Sequence, residues 1–251
     1  MTTIAGLITD QQRTQFHEEG YFILEEAIPA ADLAMLREEC DSFIAKIDAE
    51  MEQKGIQTNG ISHKNNRYFI SNRYKESARL KDFLFGELMA EICRATLGDE
   101  AFLFHEQFVV KAAEKGMKFA WHQDSGYVGY QHRPYLTCWC TLDDVSEENG
   151  TVYILPYSRA GNPSLIEHTR EEGTNDLVGY HGDDPGIPVI APAGSIAVFS
   201  SLTFHRSGRN QTPNPRRIYL PQYSAEPIIR PDGRIHAFAE PLLRGGERVA
   251  Q

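Results

Sequence analysis

A mainly β fold with flanking α-helices, arranged as a double-sheet jelly roll, is predicted by three features of this 251-residue chain. Apolar side chains recur at helical spacing through the first hundred or so residues, the period changes near residue 101, and short β-prone runs then alternate with turn residues. Many short strands with turn punctuation are the signature of two facing antiparallel sheets. A chain of this length with 41% hydrophobic residues can bury one large core, so a single domain over residues 1–251 is expected, its helical third buttressing a jelly roll that begins at about 101.

Taken in order, Thr9-Asp10-Gln11-Gln12 has the form of a capping box and Gly20 supplies a stop, which predicts a short helix between them. After Pro29, the residues Leu33, Leu36, Cys40, Phe43, Ile44 and Ile47 share one helical face. The same spacing in Leu80, Phe83, Leu84, Leu88, Ile92 and Leu97, ahead of Gly98, predicts another helix. Between these, Ser62 to Tyr74 mixes hydrogen-bonding side chains with aromatics and reads as an exposed polar loop. Folded over a site it would form a lid, with Asn72 and Arg73 placed to fix a polar substrate. Strands are expected at Ala101 to Lys111, Lys118 to His122, Tyr135 to Leu142, Thr151 to Leu155, Ile187 to Ile190, Ile196 to Ser200 and Arg217 to Tyr223. Asn149-Gly150 is a tight-turn dipeptide between two of them.

Composition excludes several classes. A formal net charge of −10 opposes nucleic acid and anionic membranes, which require a basic face. No apolar run approaches the roughly 20 residues that span a bilayer. Met1 to Ile4 lacks the start of a secretion signal, so a soluble, cytoplasmic protein is expected. The four cysteines, Cys40, Cys93, Cys138 and Cys140, are too few and too irregular for a disulfide framework or a tetrahedral zinc site and read as reduced, buried thiols. Cys138 and Cys140 flank Trp139, so they share the strand face opposite the indole.

The chemistry concentrates in Trp121-His122-Gln123-Asp124. On extended backbone, residues i and i+2 point the same way, so His122 and Asp124 can hold one metal ion while Gln123 faces away. His205, 81 residues after Asp124, is the candidate third ligand. Two histidines and one carboxylate on one face of a metal form the donor set of non-haem Fe(II) oxygenases, which leaves three positions open. Eleven residues after His205, Arg216 leads into an apolar strand. A guanidinium buried there would be costly unless it met an anion, and a dicarboxylate cosubstrate would pair with both arginine and metal. Of the other histidines, His63, His132, His168 and His181 lie in polar or Pro/Gly-rich surroundings and read as surface groups. His132, close to Tyr127, Tyr130 and Arg133, could line a pocket mouth.

With these elements in place, the sequence resembles the phytanoyl-CoA dioxygenase family of Fe(II)- and 2-oxoglutarate-dependent oxygenases. The matching stretches are Phe16 to Tyr21, Trp121 to Tyr127, Trp139 to Ser158 and His205 to Arg216. The resemblance implies a double-stranded β-helix with iron held by His122, Asp124 and His205 near one open end. It also implies that Arg216 and Ser207 hold the distal carboxylate of 2-oxoglutarate and that Trp139 packs beside it. Gln107 or His105 is a polar contact to the cosubstrate, and Tyr127, Arg133, Asn72 and Arg73 are candidate substrate contacts.

The implied reaction consumes 2-oxoglutarate and O2, releases succinate and CO2, and hydroxylates an unactivated C–H bond of a small polar or natural-product molecule. A carboxylate at 124 favours hydroxylation over halogenation, because related halogenases carry a small residue there that admits chloride; desaturation, epimerisation and cyclisation begin from the same hydrogen abstraction. The alternatives are a catalytically silent jelly roll and a cupin-like metal protein that uses no 2-oxoglutarate, and the Arg216–Ser207 pair argues against the latter. No motif encodes an oligomeric state.

Overall fold

The computed structural model describes residues 6–59, 62–114, 118–161, 163–171 and 176–250; the expectation drawn from Met1 to Ile4 lies outside them. In chain order the elements are α1 (Asp10–Glu19), β1 (Tyr21–Leu24), α2 (Ala30–Gln53), β2 (Thr58–Asn59), β3 (Ser62–His63), β4 (Arg67–Ser71), α3 (Ala78–Leu84), α4 (Glu87–Thr96) and β5 (Ala101–Lys111). There follow β6 (Phe119–His122), β7 (Leu136–Thr141), β8 (Val152–Leu155), α5 (Tyr157–Ala160), β9 (Thr169–Arg170), β10 (Leu177–Val178), β11 (Ile187–Pro188), β12 (Ile196–Ser200), β13 (Phe204–Ser207), β14 (Arg216–Ser224), β15 (Glu240–Arg244) and β16 (Glu247–Arg248).

The capping box of α1 forms: the Thr9 hydroxyl accepts from the Gln12 N–H while the Gln12 side chain accepts from the Thr9 N–H. Gly20 closes the helix at φ 83°, and a Cβ there would lie 2.5 Å from Thr203 Oγ1, so both backbone and packing require glycine. The stripe on α2 buries Leu36, Cys40, Phe43, Ile47 and Met51 against the sheet, each large side chain contributing about 1.5–3 kcal/mol of burial. The single helix expected over Leu80 to Leu97 is instead two, α3 and α4, because Gly86 takes an extended conformation between them and caps α4.

Strands β5 and β12 match the predicted segments residue for residue, while β1, β4 and β13 were not expected as strands. The segment read as a polar loop over residues 62–74 contains β3 and β4, with Arg67, Tyr68 and Ile70 buried. Its polar letters misled because Arg67 points inward rather than to solvent.

Among the described residues, the major sheet runs β1-β12-β7-β14-β5-β4-β3-β2, with β15 also paired to β5, and the minor sheet runs β11-β8-β13-β6. The paired strands of both sheets are antiparallel, as in a jelly roll. Strand β7 shows how the layers divide: Cys138 and Cys140 join the core beneath α1–α4, whereas Trp139 joins a second core with Val152, Ile154, Phe199 and Leu220 between the sheets. All four cysteines are free and buried, as expected. No helix among the described residues is long and apolar enough to cross a membrane.

Candidate metal and cosubstrate site

Antiparallel β6 and β13 place His122 directly opposite His205, with the imidazole centroids 4.2 Å apart. Strand β6 ends at His122, so Asp124 is not on the strand as expected but opens a 3-10 turn, Asp124–Tyr127. Gln123 between them keeps an extended backbone (φ −107°, ψ 136°), which preserves the shared direction of His122 and Asp124. Its side chain turns away and is fully tied, the amide N–H groups donating to the Ser164 and Leu202 carbonyls and the amide oxygen accepting from the Ile166 N–H. The turn is pinned by Ser125, whose N–H donates to the Ser201 carbonyl and whose Oγ meets Ser201 Oγ at 2.7 Å.

Both imidazoles are oriented alike. His122 Nδ1 lies 2.8 Å from the Ala120 carbonyl and His205 Nδ1 lies 3.0 Å from the Thr203 carbonyl, which puts the proton on Nδ1 and leaves each Nε2 lone pair free. Those nitrogens lie 3.7 and 3.4 Å from Asp124 Oδ1, and the three ligand atoms fall within 4.8 Å of one another. Burial, and then the neighbouring His205, push the His122 imidazole down to about 3, the neutral form that a metal ligand requires. The other carboxylate oxygen, Oδ2, accepts from Thr137 Oγ1 at 2.6 Å and from Gln222 Nε2 at 3.0 Å. These bonds fix the plane of Asp124 so that Oδ1 alone faces the histidines. Sequence reasoning missed Thr137 and Gln222, whose meaning arises only from strand register: they are opposite each other on β7 and β14.

Two cavities meet at this cluster. One, of about 270 Å³, is lined by Phe69, Phe104, His105, Phe119, Tyr127, Tyr135, Asp176, Gln222 and His236 among others. The other, about 100 Å³, is lined by Lys111, Trp139, His205, Ser207, Arg216 and Leu220. Gln107, His122 and Asp124 border both. Arg216 is wholly buried: Nη2 donates to the Gly150 carbonyl at 3.2 Å, while Nε and Nη1 have no partner among the described residues, and Cζ lies 5.5 Å from the Trp139 ring centroid. Burial lowers this guanidinium to about 10. Leaving two buried donors of a cation unpaired costs several kcal/mol, on the order of what a carboxylate in the small cavity would return. The donors present therefore fit both a divalent metal and a bidentate anion.

The structure thus brings together His122, Asp124, His205, Arg216, Ser207, Trp139, Gln107 and Tyr127, and places three other expected contacts elsewhere. Asn72 is exposed, in the left-handed conformation (φ 64°), with its N–H donating to the Glu106 carbonyl. Arg73 pairs with Glu76 at 2.6 Å, and Arg133 is exposed beside Glu226. None of the three lines either cavity; from the segment read as a lid it is Phe69 that reaches the site. Of the histidines read as surface groups, His181 is exposed, but His63, His132 and His168 are half-buried. His168 Nε2 accepts from the Gln123 N–H behind the metal strand, and His132 Nε2 meets Ser125 Oγ at 3.0 Å. Both support the turn from outside the cavities.

A two-histidine, one-carboxylate cluster inside a jelly roll is the donor set of the non-haem iron oxygenases. The profile of the phytanoyl-CoA dioxygenase family (PhyH) matches residues 16–218, and the chain belongs to this family of Fe(II)- and 2-oxoglutarate-dependent oxygenases. It is 25% identical over 250 residues to the methylphosphonate hydroxylase of Gimesia maris, covering 96% of this chain and 92% of that enzyme. It is 21% identical over 226 residues to human peroxisomal phytanoyl-CoA dioxygenase, covering 82% of this chain but only 65% of that enzyme's length. Among solved structures, EvdO2 from Micromonospora carbonacea var. aurantiaca complexed with 2-oxoglutarate superposes with a TM-score of 0.69 at 20% identity, covering 97% of this chain and 94% of that one.

Proposed function

We propose that this protein is an Fe(II)- and 2-oxoglutarate-dependent dioxygenase that hydroxylates an unactivated C–H bond of a small polar or natural-product substrate. The observation that carries the reading is the pairing of two features across about 100 Å³: a metal-ready His122–Asp124–His205 cluster and a buried Arg216 with two unpartnered nitrogens. When bound, Fe(II) would activate O2, the oxidant; 2-oxoglutarate would supply two of the four electrons O2 takes up, leaving as succinate and CO2, and the substrate C–H bond the other two.

The chain's residues do the rest. His122, Asp124 and His205 hold the metal through Nε2, Oδ1 and Nε2, and their carbonyl, threonine and glutamine partners keep those atoms aimed before it arrives. Arg216 and Ser207 hold the distal carboxylate, and Trp139 forms the wall under the guanidinium. Gln107, bonded to Ser71, stands between the cavities where it contacts cosubstrate on one side and substrate on the other. The larger cavity takes the substrate: Phe69, Phe119 and Tyr127 pack its apolar part and exclude water, while His105, pushed down to about 4 by burial, stays neutral as a hydrogen-bonding group. A volume of about 270 Å³ suits a small molecule. The presence of Asp124 favours hydroxylation, since a metal held there would have a carboxylate ligand in place of a halide.

The test is turnover. Purified protein with Fe(II), ascorbate and a panel of small polar candidates should release succinate only when 2-oxoglutarate and O2 are both present, and Asp124→Ala should abolish that release. Retained succinate formation in the variant would remove the metal assignment.

A further inference from the structure

Lys111, the last residue of β5, has Arg216 of β14 directly opposite on one side and Arg67 of β4 directly opposite on the other. Residues so paired in an antiparallel ladder project from the same face with Cβ atoms about 5 Å apart, and like charges there repel. All three are buried, at 5% (Arg67), 2% (Lys111) and 1% (Arg216) exposure. Burial first, then the charges of Arg216 and Arg67, hold the lysine ammonium well below its ordinary range, with Asp176 offsetting part of this. Three buried cations abreast form an arrangement that a fold does not gain from by itself.

What Lys111 faces indicates its purpose. Its Nζ donates to Ser207 Oγ at 2.8 Å and to the Gly208 carbonyl, which occupies two of the three ammonium donors. It lines the same cavity of about 100 Å³ as Arg216, whose Nε and Nη1 are unpartnered among the described residues. Arg67, by contrast, lies against the rings of Phe69 and Phe119. Lys111 and Arg216 therefore converge on one small space from adjacent strands, which Ser207, bonded to the lysine, and His205 also line.

We propose that Lys111 is a second cationic anchor for the distal carboxylate of the cosubstrate, and that with Arg216 it makes the site demand a 2-oxo diacid. The proposal rests on the reading of the smaller cavity as the 2-oxoglutarate site. A distal carboxylate there neutralises the repulsion between the two cations and pairs with both. A 2-oxo acid with an uncharged tail would bring no charge to offset the two groups and would give Arg216 Nε and Nη1 no carboxylate to meet.

The experiment compares wild type, Lys111→Met and Lys111→Gln, loaded with Mn(II) without O2. Binding of 2-oxoglutarate and of 2-oxopentanoate, which has the same chain length without the second carboxylate, is measured by calorimetry, and the thermal midpoint of the metal-free proteins is recorded. Lys111→Met should raise the 2-oxoglutarate Kd by about tenfold to a hundredfold, the range for one lost charge-assisted hydrogen bond. It should also narrow the preference over 2-oxopentanoate, leave Mn(II) binding unchanged, and raise the metal-free midpoint by removing the repulsion. Unchanged 2-oxoglutarate binding with a lowered midpoint would reduce Lys111 to a tie for the Ser207–Gly208 backbone and overturn the proposal. If Lys111→Met does not fold, Lys111→Gln, which keeps a donor toward Gly208, supplies the same comparison. Wild type that binds Mn(II) but no 2-oxoglutarate would instead overturn the reading of the cavity, and the anchor with it.

Discussion

Replacing Thr137 with Val tests whether the proposed metal site is built by its supporting hydrogen bonds or merely by its three candidate ligands. Thr137 is fully buried, and its Oγ1 donates to Asp124 Oδ2 at 2.6 Å while accepting from Gln222 Nε2 at 3.0 Å. Valine has the same shape, so the change deletes the hydroxyl with little disturbance of packing. A hydrogen bond to a charged group contributes about 1.5–3 kcal/mol. Gln222 still donates to Oδ2 at 3.0 Å and retains part of the carboxylate's orientation, so the lower half of that range applies. This corresponds to a rise of about 10- to 40-fold in metal Kd, within the span expected for groups that orient metal ligands. The assay is anaerobic titration with Fe(II) or Mn(II), with circular dichroism to confirm the fold. Because Thr137 and Gln222 share one network, Thr137→Val and Gln222→Leu together should cost less or more than the sum of the two, not equal it. A well-folded Thr137→Val with wild-type metal affinity would show that these hydrogen bonds do not set metal binding.

Arg216→Ala should raise the 2-oxoglutarate requirement at least about 30-fold, the cost of truncating one side of a buried charge pair, while metal affinity stays within threefold in the same titrations. Gly150→Ala should lower stability by about 1–3 kcal/mol in thermal or urea unfolding, because φ is 77° and the new Cβ would lie 2.6 Å from the Gly208 carbonyl oxygen. It should raise the 2-oxoglutarate KM as well, since the Gly150 carbonyl accepts from Arg216. Glu106 is fully buried and burial pushes its carboxyl up to about 7. A raised carboxyl is protonated in the folded state, so stability should fall as pH rises from about 4.5 through 7, by about 3 kcal/mol in all, and level off above. Glu106→Gln, which keeps an acceptor for the Tyr74 N–H, should flatten that part of the pH–stability profile.

Much of this was legible in the sequence, and the pattern of misses has a physical cause. Strands β5 and β12 were readable because short, apolar and β-prone runs mark Ala101–Lys111 and Ile196–Ser200. Strand β4 was hidden because Arg67 and Ser71 serve the interior, so its polar letters imitate a solvated loop. The helix over Leu80 to Leu97 hid its break, since Gly86 interrupts the chain without interrupting the apolar stripe. At the site, His122, Asp124, His205 and Arg216 were visible because close spacing and residue chemistry mark them. Thr137, Gln222 and Lys111 were not, because a threonine, a glutamine and a lysine acquire meaning only from the strand they face. Asn72, Arg73 and Arg133 erred in the opposite way: polar residues near the motifs in sequence are turned to neighbouring glutamates or to solvent by the register of β4 and by the path after the 3-10 turn.

The proposed function requires that a metal at His122–Asp124–His205 and 2-oxoglutarate at Arg216 share one site. Anaerobic addition of Fe(II) and then 2-oxoglutarate, followed by visible absorption, tests it most directly. A metal-to-ligand charge-transfer band that grows with 2-oxoglutarate, is lost in Asp124→Ala and requires far more cosubstrate in Arg216→Ala is the predicted result. Iron bound at the triad with no such band at saturating 2-oxoglutarate would contradict it.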